Sequence, residues 1–309
     1  MAHTSWDVAL GASTIKNVQS VGYNQNASII AERAAGAHAP GKLYQGNSEP
    51  MVTLSSTDLE GLVALNTSTF ASVGICITAA TTTVPLAKRA DCAVTASGAV
   101  HTALACENTI VIPTSFEASQ ESDTGATCSM EARFRSSDGL ADPVTITNTT
   151  SLPASSLGDS FGLGAVYING IRIPQLVGTS VTPNITLQIQ RVGGGIYPIA
   201  HYLISTEPVI DITSEDLSLL KDFTPNYVVG AGLTDIEAAA NTIEVYFRKR
   251  KDGGVFYDEV DLEHIRFSST APLLKADAFE VNRNSNGTIT IRAHMKTLTA
   301  AVGVAIAAP

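Results

Sequence analysis

Charge is in short supply in this sequence. Asp, Glu, Lys and Arg make up 16% of the 309 residues, against about 25% in ordinary soluble domains. The cores of subunit interfaces are depleted in charge, so the shortage points to a surface largely covered by neighbours. Basic residues are scarcer still: 19 Lys and Arg face 29 Asp and Glu, a net charge of −10. Wrapping nucleic acid needs basic stripes along the phosphates, so the balance argues against wrapping it directly. An acidic surface suits instead one that DNA must pass without sticking. Aromatics amount to 6%, with Trp6 the single Trp, too few for the exposed platforms that sugar binders offer. The four cysteines (Cys76, Cys92, Cys106, Cys128) all fall in the first half and lack zinc-type spacing; buried free thiols in a reducing compartment are expected. Long hydrophobic runs are missing too. Ala300 to Pro309 is apolar but far short of the roughly 20 residues a bilayer requires. Residues 1–7 show no charged region leading into an apolar stretch, so no signal peptide and no membrane segment are expected.

Catalytic signatures are equally scarce. There is no Walker loop, no strand-anchored Gly-x-Gly-x-x-Gly, no Gly-x-Ser-x-Gly elbow and no His-Glu-x-x-His. The six His are dispersed. Asp258 to His264 gathers four carboxylates and a His, which as a strand would put Asp258, Val260, Leu262 and His264 on one face. Hard cations take oxygen ligands, but no loop geometry is evident, and a solvated acidic strand is expected. The basic run Arg248 to Lys251 reads as a solvated hairpin tip, with a grip on phosphate or an acidic neighbour as the other option. No catalytic residue, cofactor or metal is expected, and the chain is not expected to be an enzyme.

What the chain does contain is a repeat. Glu207 to Leu220 (EPVIDITSEDLSLL) matches Glu49 to Leu62 (EPMVTLSSTDLEGL), 158 positions earlier (207 − 49), without a gap and with six of 14 residues identical. At the same offset Asn26 meets Asn184, Arg33 meets Arg191, Gly36 meets Gly194 and Pro40 meets Pro198. Internal repetition decides the fold reading before anything else, and it implies two like halves, near 1–158 and 159–309, from a fused duplication. In each copy an apolar run ends at a hydroxyl with an Asp three positions on. Ser55 with Asp58, and Thr213 with Asp216, therefore read as capping boxes. Leu59 and Leu62, like Leu217 and Leu220, then form the buried face of a short helix packed on a sheet. A catalytic role for either Asp is the lesser reading, because capping accounts for both spacing and residue type.

Elsewhere the pattern is β. Met130, Ala132 and Phe134 alternate with charged residues, Ile243, Val245 and Phe247 with Glu244, Tyr246 and Arg248, and Ile185, Leu187 and Ile189 with Thr and Gln. Asp138-Gly139, Asn169-Gly170, Asp252-Gly253 and Asn286-Gly287 supply hairpin turns. Matching Phe134 to Phe247 leaves the first half with extra residues over about Thr78 to Ser122, an apparent insertion. The predicted fold is mainly β: two tandem sandwich or barrel-like domains, each with a short flanking α-helix.

From Phe161 onward the order of features resembles the tail tube (major tail) proteins of long-tailed, non-contractile bacteriophages. The matching pieces are Phe161 to Gly170 (FGLGAVYING), the strand pair around Gln190 to Pro198, Pro208 to Leu220, Tyr246 to Gly254 (YFRKRKDGG) and His264-Ile265. That resemblance implies a β-sandwich with a flanking helix, set side by side in rings whose sheets line a channel for DNA, which passes without specific binding. Rings stack into a tube in the virion tail, assembled in the host cytoplasm alongside tape-measure, terminator and distal-tail proteins. In duplicated members three chains make a pseudo-sixfold ring, so a homotrimer is implied. The alternatives are another virion part (a capsid decoration or connector ring) or a carbohydrate-binding β module of a tail tip.

Overall fold

The structure, a computed structural model, describes residues 3–11, 13–36, 38–66, 77–89, 99–122, 125–154, 157–219, 242–252, 254–270, 272–281 and 286–306. It is mainly β, 59% strand against 3% helix, so backbone polar groups are satisfied chiefly between strands. Among the described residues no helix is long and apolar enough to cross a membrane.

The first half runs β1 (His3–Ser5), β2 (Val8–Leu10), β3 (Ser13–Ile15), β4 (Val18–Asn24), β5 (Ile29–Glu32), β6 (Lys42–Gln45) and β7 (Met51–Ser56). Helix α1 (Leu59–Asn66), β8 (Ile77–Lys88), β9 (His101–Ser119), β10 (Thr127–Phe134) and β11 (Val144–Thr149) follow. The second half runs β12 (Phe161–Ile168), β13 (Ile171–Arg172), β14 (Leu176–Thr182), β15 (Ile185–Gln190), β16 (Ala200–Thr206) and β17 (Val209–Ser214). A 3-10 turn (Leu217–Leu219), β18 (Thr242–Lys249), β19 (His264–Thr270), β20 (Leu273–Glu280), β21 (Thr288–His294) and β22 (Thr299–Val304) complete it. Each half stacks two antiparallel sheets. An inner one orders the C-terminal part of β9, then β10, β7 and β4, and likewise β20, β21, β17 and β14. The outer sheet of the second half is β13-β12-β18-β19-β22; in the first half β3, β2 and β1, β8, the N-terminal part of β9 and β11 take the same places. β9 runs through both sheets, with Asn108 at a positive φ of 48° marking the bend. In the second half Pro272, which has no amide proton to give a ladder, stands where β19 stops and β20 starts.

The two halves pair residue for residue. Val21 faces Leu54 and Tyr23 faces Val52; 158 positions on, Thr179 faces Ile212 and Val181 faces Ile210. Both ladders carry a bulge at the same step, between Val18 and Ser20 and between Leu176 and Gly178. Hydrogen bonds repeat as well. Ser56 Oγ donates to Lys16 O at 2.6 Å and Ser214 Oγ to Pro174 O at 2.7 Å. Asn26 and Asn184 donate to Glu49 O and Glu207 O. The Tyr44 and Tyr202 hydroxyls reach Glu32 and Gln190 across their hairpins.

This register corrects the expected insertion over Thr78 to Ser122. Lys88 donates its backbone amide to His101 Nδ1, and Lys249 donates likewise to His264 Nδ1. Leu86 faces Thr102 and Phe247 faces Ile265. β8 and the start of β9 are thus the counterparts of β18 and β19. Phe134 corresponds to Met295, not to Phe247: each donates its amide to the carbonyl of the repeated proline, Pro50 or Pro208.

The capping boxes also shift by one residue. Ser55 and Thr213 stay on their strands, facing Ser129 and Thr290 in the sheet. Ser56 and Ser214 instead accept the amides of Asp58 and Asp216. Asp58 is itself the N-cap, its Oδ1 accepting Gly61 N–H at 3.0 Å while Oδ2 accepts Lys16 N–H at 2.9 Å. Asp216 does the same over a shorter reach, to Ser218 N–H. Leu59 and Leu62 are fully buried, each contributing about 2 kcal/mol. The second helix is only a 3-10 turn in the described residues; Leu217 packs against the core and Leu219 is buried, and Leu220 lies outside them. The acidic stretch Asp258 to Glu263 is a run of turns rather than a strand, because Asp261 accepts the Asp258 amide and folds it back. Val255 to Tyr257 returns through a single bridge, Arg250 to Phe256, not a full strand.

Asp58→Ala should lower the unfolding free energy by about 1–2 kcal/mol, through loss of the cap and of the Lys16 bond. Ser55→Ala should stay within about 0.5 kcal/mol. Urea midpoints of the two variants check the revised cap.

Candidate assembly interface

An antiparallel sheet leaves a row of amides and carbonyls along each outer strand, and those groups seek a partner. Inside this chain one such pair of edges is joined. β14 lies against the C-terminal part of β9, with Val181 opposite Phe116, Ser180 opposite Glu117, Thr179 opposite Ala118 and Gly178 opposite Ser119. Gln120 N–H reaches Val177 O at 2.7 Å and fastens the bulge. Below the ladder Phe116 and Val181 are fully buried, with Ala118 and Thr179 at 6%. The Phe116 ring crosses onto the outer sheet of the second half, 4.8 Å from Phe267, which itself stands edge-on to Phe247 at 5.6 Å.

The loop between β15 and β16 closes the same seam. Ile196 and Tyr197 donate their amides to Gly139 O, Ser48 donates to Ile196 O, and Ser136 to Pro198 O at 2.7 Å. Gly139 is required twice over, by a φ of 79° and by Val192, whose Cγ1 would lie 2.7 Å from an added Cβ. On another side Lys249 sits among three carboxylates: Asp159 and Glu263 at 2.9 Å and Glu60 of α1 at 3.7 Å. Burial opposes its charge, yet the hydrogen bonds of Asp159 and Glu263 hold its ammonium above the ordinary lysine range. Burial and the neighbouring Asp159 push Glu60 up. For Asp159 the bonds to Lys249 and Glu60 outweigh burial and hold it down. The rest of the basic run is used internally as well: Arg248 and Arg250 cover the Phe256 ring and Lys251 covers Tyr257. The acidic turns are similarly engaged, Glu259 by Arg172 and Glu263 by Lys249, so their carboxylates diverge instead of gathering around a cation.

The same two edges recur at the extremities of the inner sheet. β20 ends it on one side and β4 on the other. Their pairing with β21 and β7 places Phe279 where Phe116 stands in the first half and Tyr23 where Val181 stands in the second. Phe279 and Val281 are each 62% exposed and Tyr23 is 39% exposed. Segment 191–199 is largely packed against the first half, whereas every described residue of 33–41 is exposed. Leu43, at 66%, occupies the position of the buried His201. What is covered at the internal seam is therefore uncovered at the outer edges.

The inner sheet's other face is polar. Thr53, Ser55, Ser129, Thr213 and Thr290 line it. Arg133 is held by Glu49 and Glu131 at 2.9 Å, and Arg292 makes a two-pronged pair with Asp211 at 2.7 and 2.9 Å. The two arginines of this face are thus paired with carboxylates and set among hydroxyls.

Of the residues singled out in the sequence, Asp58, Leu59 and Leu62 lie beside the Lys249 cluster, while Asp216 and Leu217 hold the corresponding turn in the second half. The seam residues Phe116, Val181 and His201 were missed, and only register could have exposed them. Cys106 and Cys128 are buried free thiols, which burial pushes up to about 12; Cys76 and Cys92 fall outside the described residues. The chain matches no family model and no curated protein.

His201 gives the seam a pH signature. It is buried, neither ring nitrogen has a hydrogen-bond partner among the described residues, and burial together with Arg133, Arg135 and Arg191 lowers it to about 4. Unfolded, the ring takes up a proton near pH 6.5, so the stability tied to its neutral form is complete above that pH. It is lost as pH falls from about 6.5 to 4, by about 2 kcal/mol after allowing for partial solvation. Asp138, held low by the amides of Ala141 and Leu140, and Asp159 release stability only at lower pH. His201→Leu should flatten the upper slope in melts taken between pH 4 and 7.5.

Proposed function

We propose that this chain is a non-enzymatic structural protein, two fused copies of one wedge, three chains of which close into an annulus of six wedges. Annuli stack into the tail tube of a long-tailed, non-contractile bacteriophage, and the genome passes through the lumen. The observation that carries this reading is the pair of matching edges: one copy of the seam is closed inside the chain, and its two halves are repeated, open, at the ends of the inner sheet.

The two edges are unlike, one of β9 type and one of β14 type. Joining unlike edges gives a head-to-tail interface, which makes a ring when the rotation closes and a filament when it does not. A ring leaves no edge exposed, the condition that sheet proteins otherwise meet with covering loops or charges. The polar face of the inner sheet suits a lumen. Its hydroxyls and paired ions offer DNA no basic stripe, and the net charge of −10 repels a polyanion at distance. The scarcity of charge in the whole chain fits a surface mostly taken up by neighbours.

Concentrated protein imaged by negative stain and weighed by mass photometry should show three-chain annuli or stacks of them. Phe279→Asp should abolish these while leaving the melting temperature within about 3 °C, since the side chain is exposed in the single chain. A wild-type chain that stays monomeric at high concentration across a range of salt overturns the reading.

A further inference from the structure

We infer that the seam between chains forms in one register, β20 of one copy adding to β4 of the next with Phe279 opposite Tyr23, Glu280 opposite Gly22 and Val281 opposite Val21. The inference rests on the annular reading and deepens it, by naming the edge, the occupant and the pairing. The occupant is a second copy of this chain, because the chain already contains the mating surface for each edge.

The register comes from two independent ladders. β4 and β14 pair with β7 and β17 in the same steps, including the bulge, so Tyr23, Gly22 and Val21 stand where Val181, Ser180 and Thr179 stand. β20 and the end of β9 pair with β21 and β10 in the same steps, again with a common bulge, so Phe279, Glu280 and Val281 stand where Phe116, Glu117 and Ala118 stand. Carrying the internal pairing across gives the three pairs above, with Ser20 next in line where Gly178 stands. A slip by one residue would turn Phe279 and Val281 to the polar face.

Side-chain volume supports the same pairing. At the internal seam Phe116 meets the Phe267 ring, which Phe247 backs edge-on, and its cross-strand partner is the small Val181. At the outer seam the ring positions are Leu104 and Leu86 of the neighbour, which face Val84 and Thr102, while the cross-strand partner grows to Tyr23. Space given up beneath Phe279 is taken by the larger partner beside it, the kind of compensated exchange that cores tolerate. An acid opposite a small residue recurs as well, Glu280 with Gly22 repeating Glu117 with Ser180. Gly22 has little freedom to be anything else, since a Cβ there would lie 2.7 Å from Thr53 Oγ1.

Cysteine pairs test the register. Directly opposed residues in an antiparallel ladder have Cα atoms about 4.5–5.5 Å apart, within disulfide range, whereas diagonal pairs at about 7–8 Å are outside it. Mild oxidation of assembled Val21→Cys/Val281→Cys protein should give a covalently closed three-chain species on a non-reducing gel. Tyr23→Cys/Val281→Cys and each single variant should not. Alongside, hydrogen exchange on the wild-type chain should show the amides of 21–23 and 279–281 at least tenfold better protected in annuli than in dilute monomer. Annuli that cross-link only in the offset pair, or that form without new protection in these two strands, overturn the register and leave the annular reading standing. A wild-type chain that forms no annulus removes the annular reading itself and the register with it.

Discussion

An unpaired strand edge is the constraint around which this molecule is arranged. Every second residue of an outer strand offers backbone groups to whatever approaches, and leaving them dry and unmet costs about 1–3 kcal/mol each. Within the chain the problem is met once, where β14 lies on β9 and seals Phe116 and Val181 beneath the ladder. The loop of 191–199, laid over Gly139 and Ser136, joins the halves alongside it, and on another side Lys249 binds carboxylates from both halves.

Much of the fold was legible in the sequence, and the reasons for the failures are specific. β7, β10, β17 and β18 were readable because apolar and polar residues alternate over six to eight positions, the signature of a strand with one buried face. The Asn169-Gly170 hairpin was readable because both residues take positive φ, 54° and 77°, as a two-residue turn demands. β8 was not. It has Thr82, Pro85 and Leu86 where β18 has Ile243, Tyr246 and Phe247, so the sandwich position is kept while the hydrophobic signal has faded. Aligning by the loudest signal then joined Phe134 to Phe247 and produced an insertion where there is a strand pair. The caps slipped by one for a similar reason. A run such as Ser55-Ser56-Thr57-Asp58 offers two hydroxyl registers, and only the carbonyl of Lys16, forty residues away, decides for Ser56.

The interface was less visible still. Phe279, Tyr23 and Val281 look like ordinary strand residues in sequence, and nothing local marks them as unmatched. They stand out only when register places them on positions that are buried elsewhere in the same chain. A repeated structure thus supplies its own control: the buried copy states what the exposed copy lacks. Scattered apolar residues on a surface carry no such meaning. A set of three on two opposite edges, each with a buried counterpart, does.

The differences between the two seams follow from how each must form. The internal seam is intramolecular, so its effective concentration is high and it tolerates a buried His201 whose ring nitrogens have no hydrogen-bond partner among the described residues. In the proposed annulus the outer seam forms between separate chains and must overcome the loss of their independent motion. On that reading the shift of its residues toward carbon has a cause: Leu43 in place of His201, Val21 in place of Thr179, Val281 in place of Ala118. In the proposed assembly the backbone ladder is held constant while the side chains differ between the two kinds of association. That division accounts for a register preserved to the bulge beneath a sequence that has otherwise drifted far.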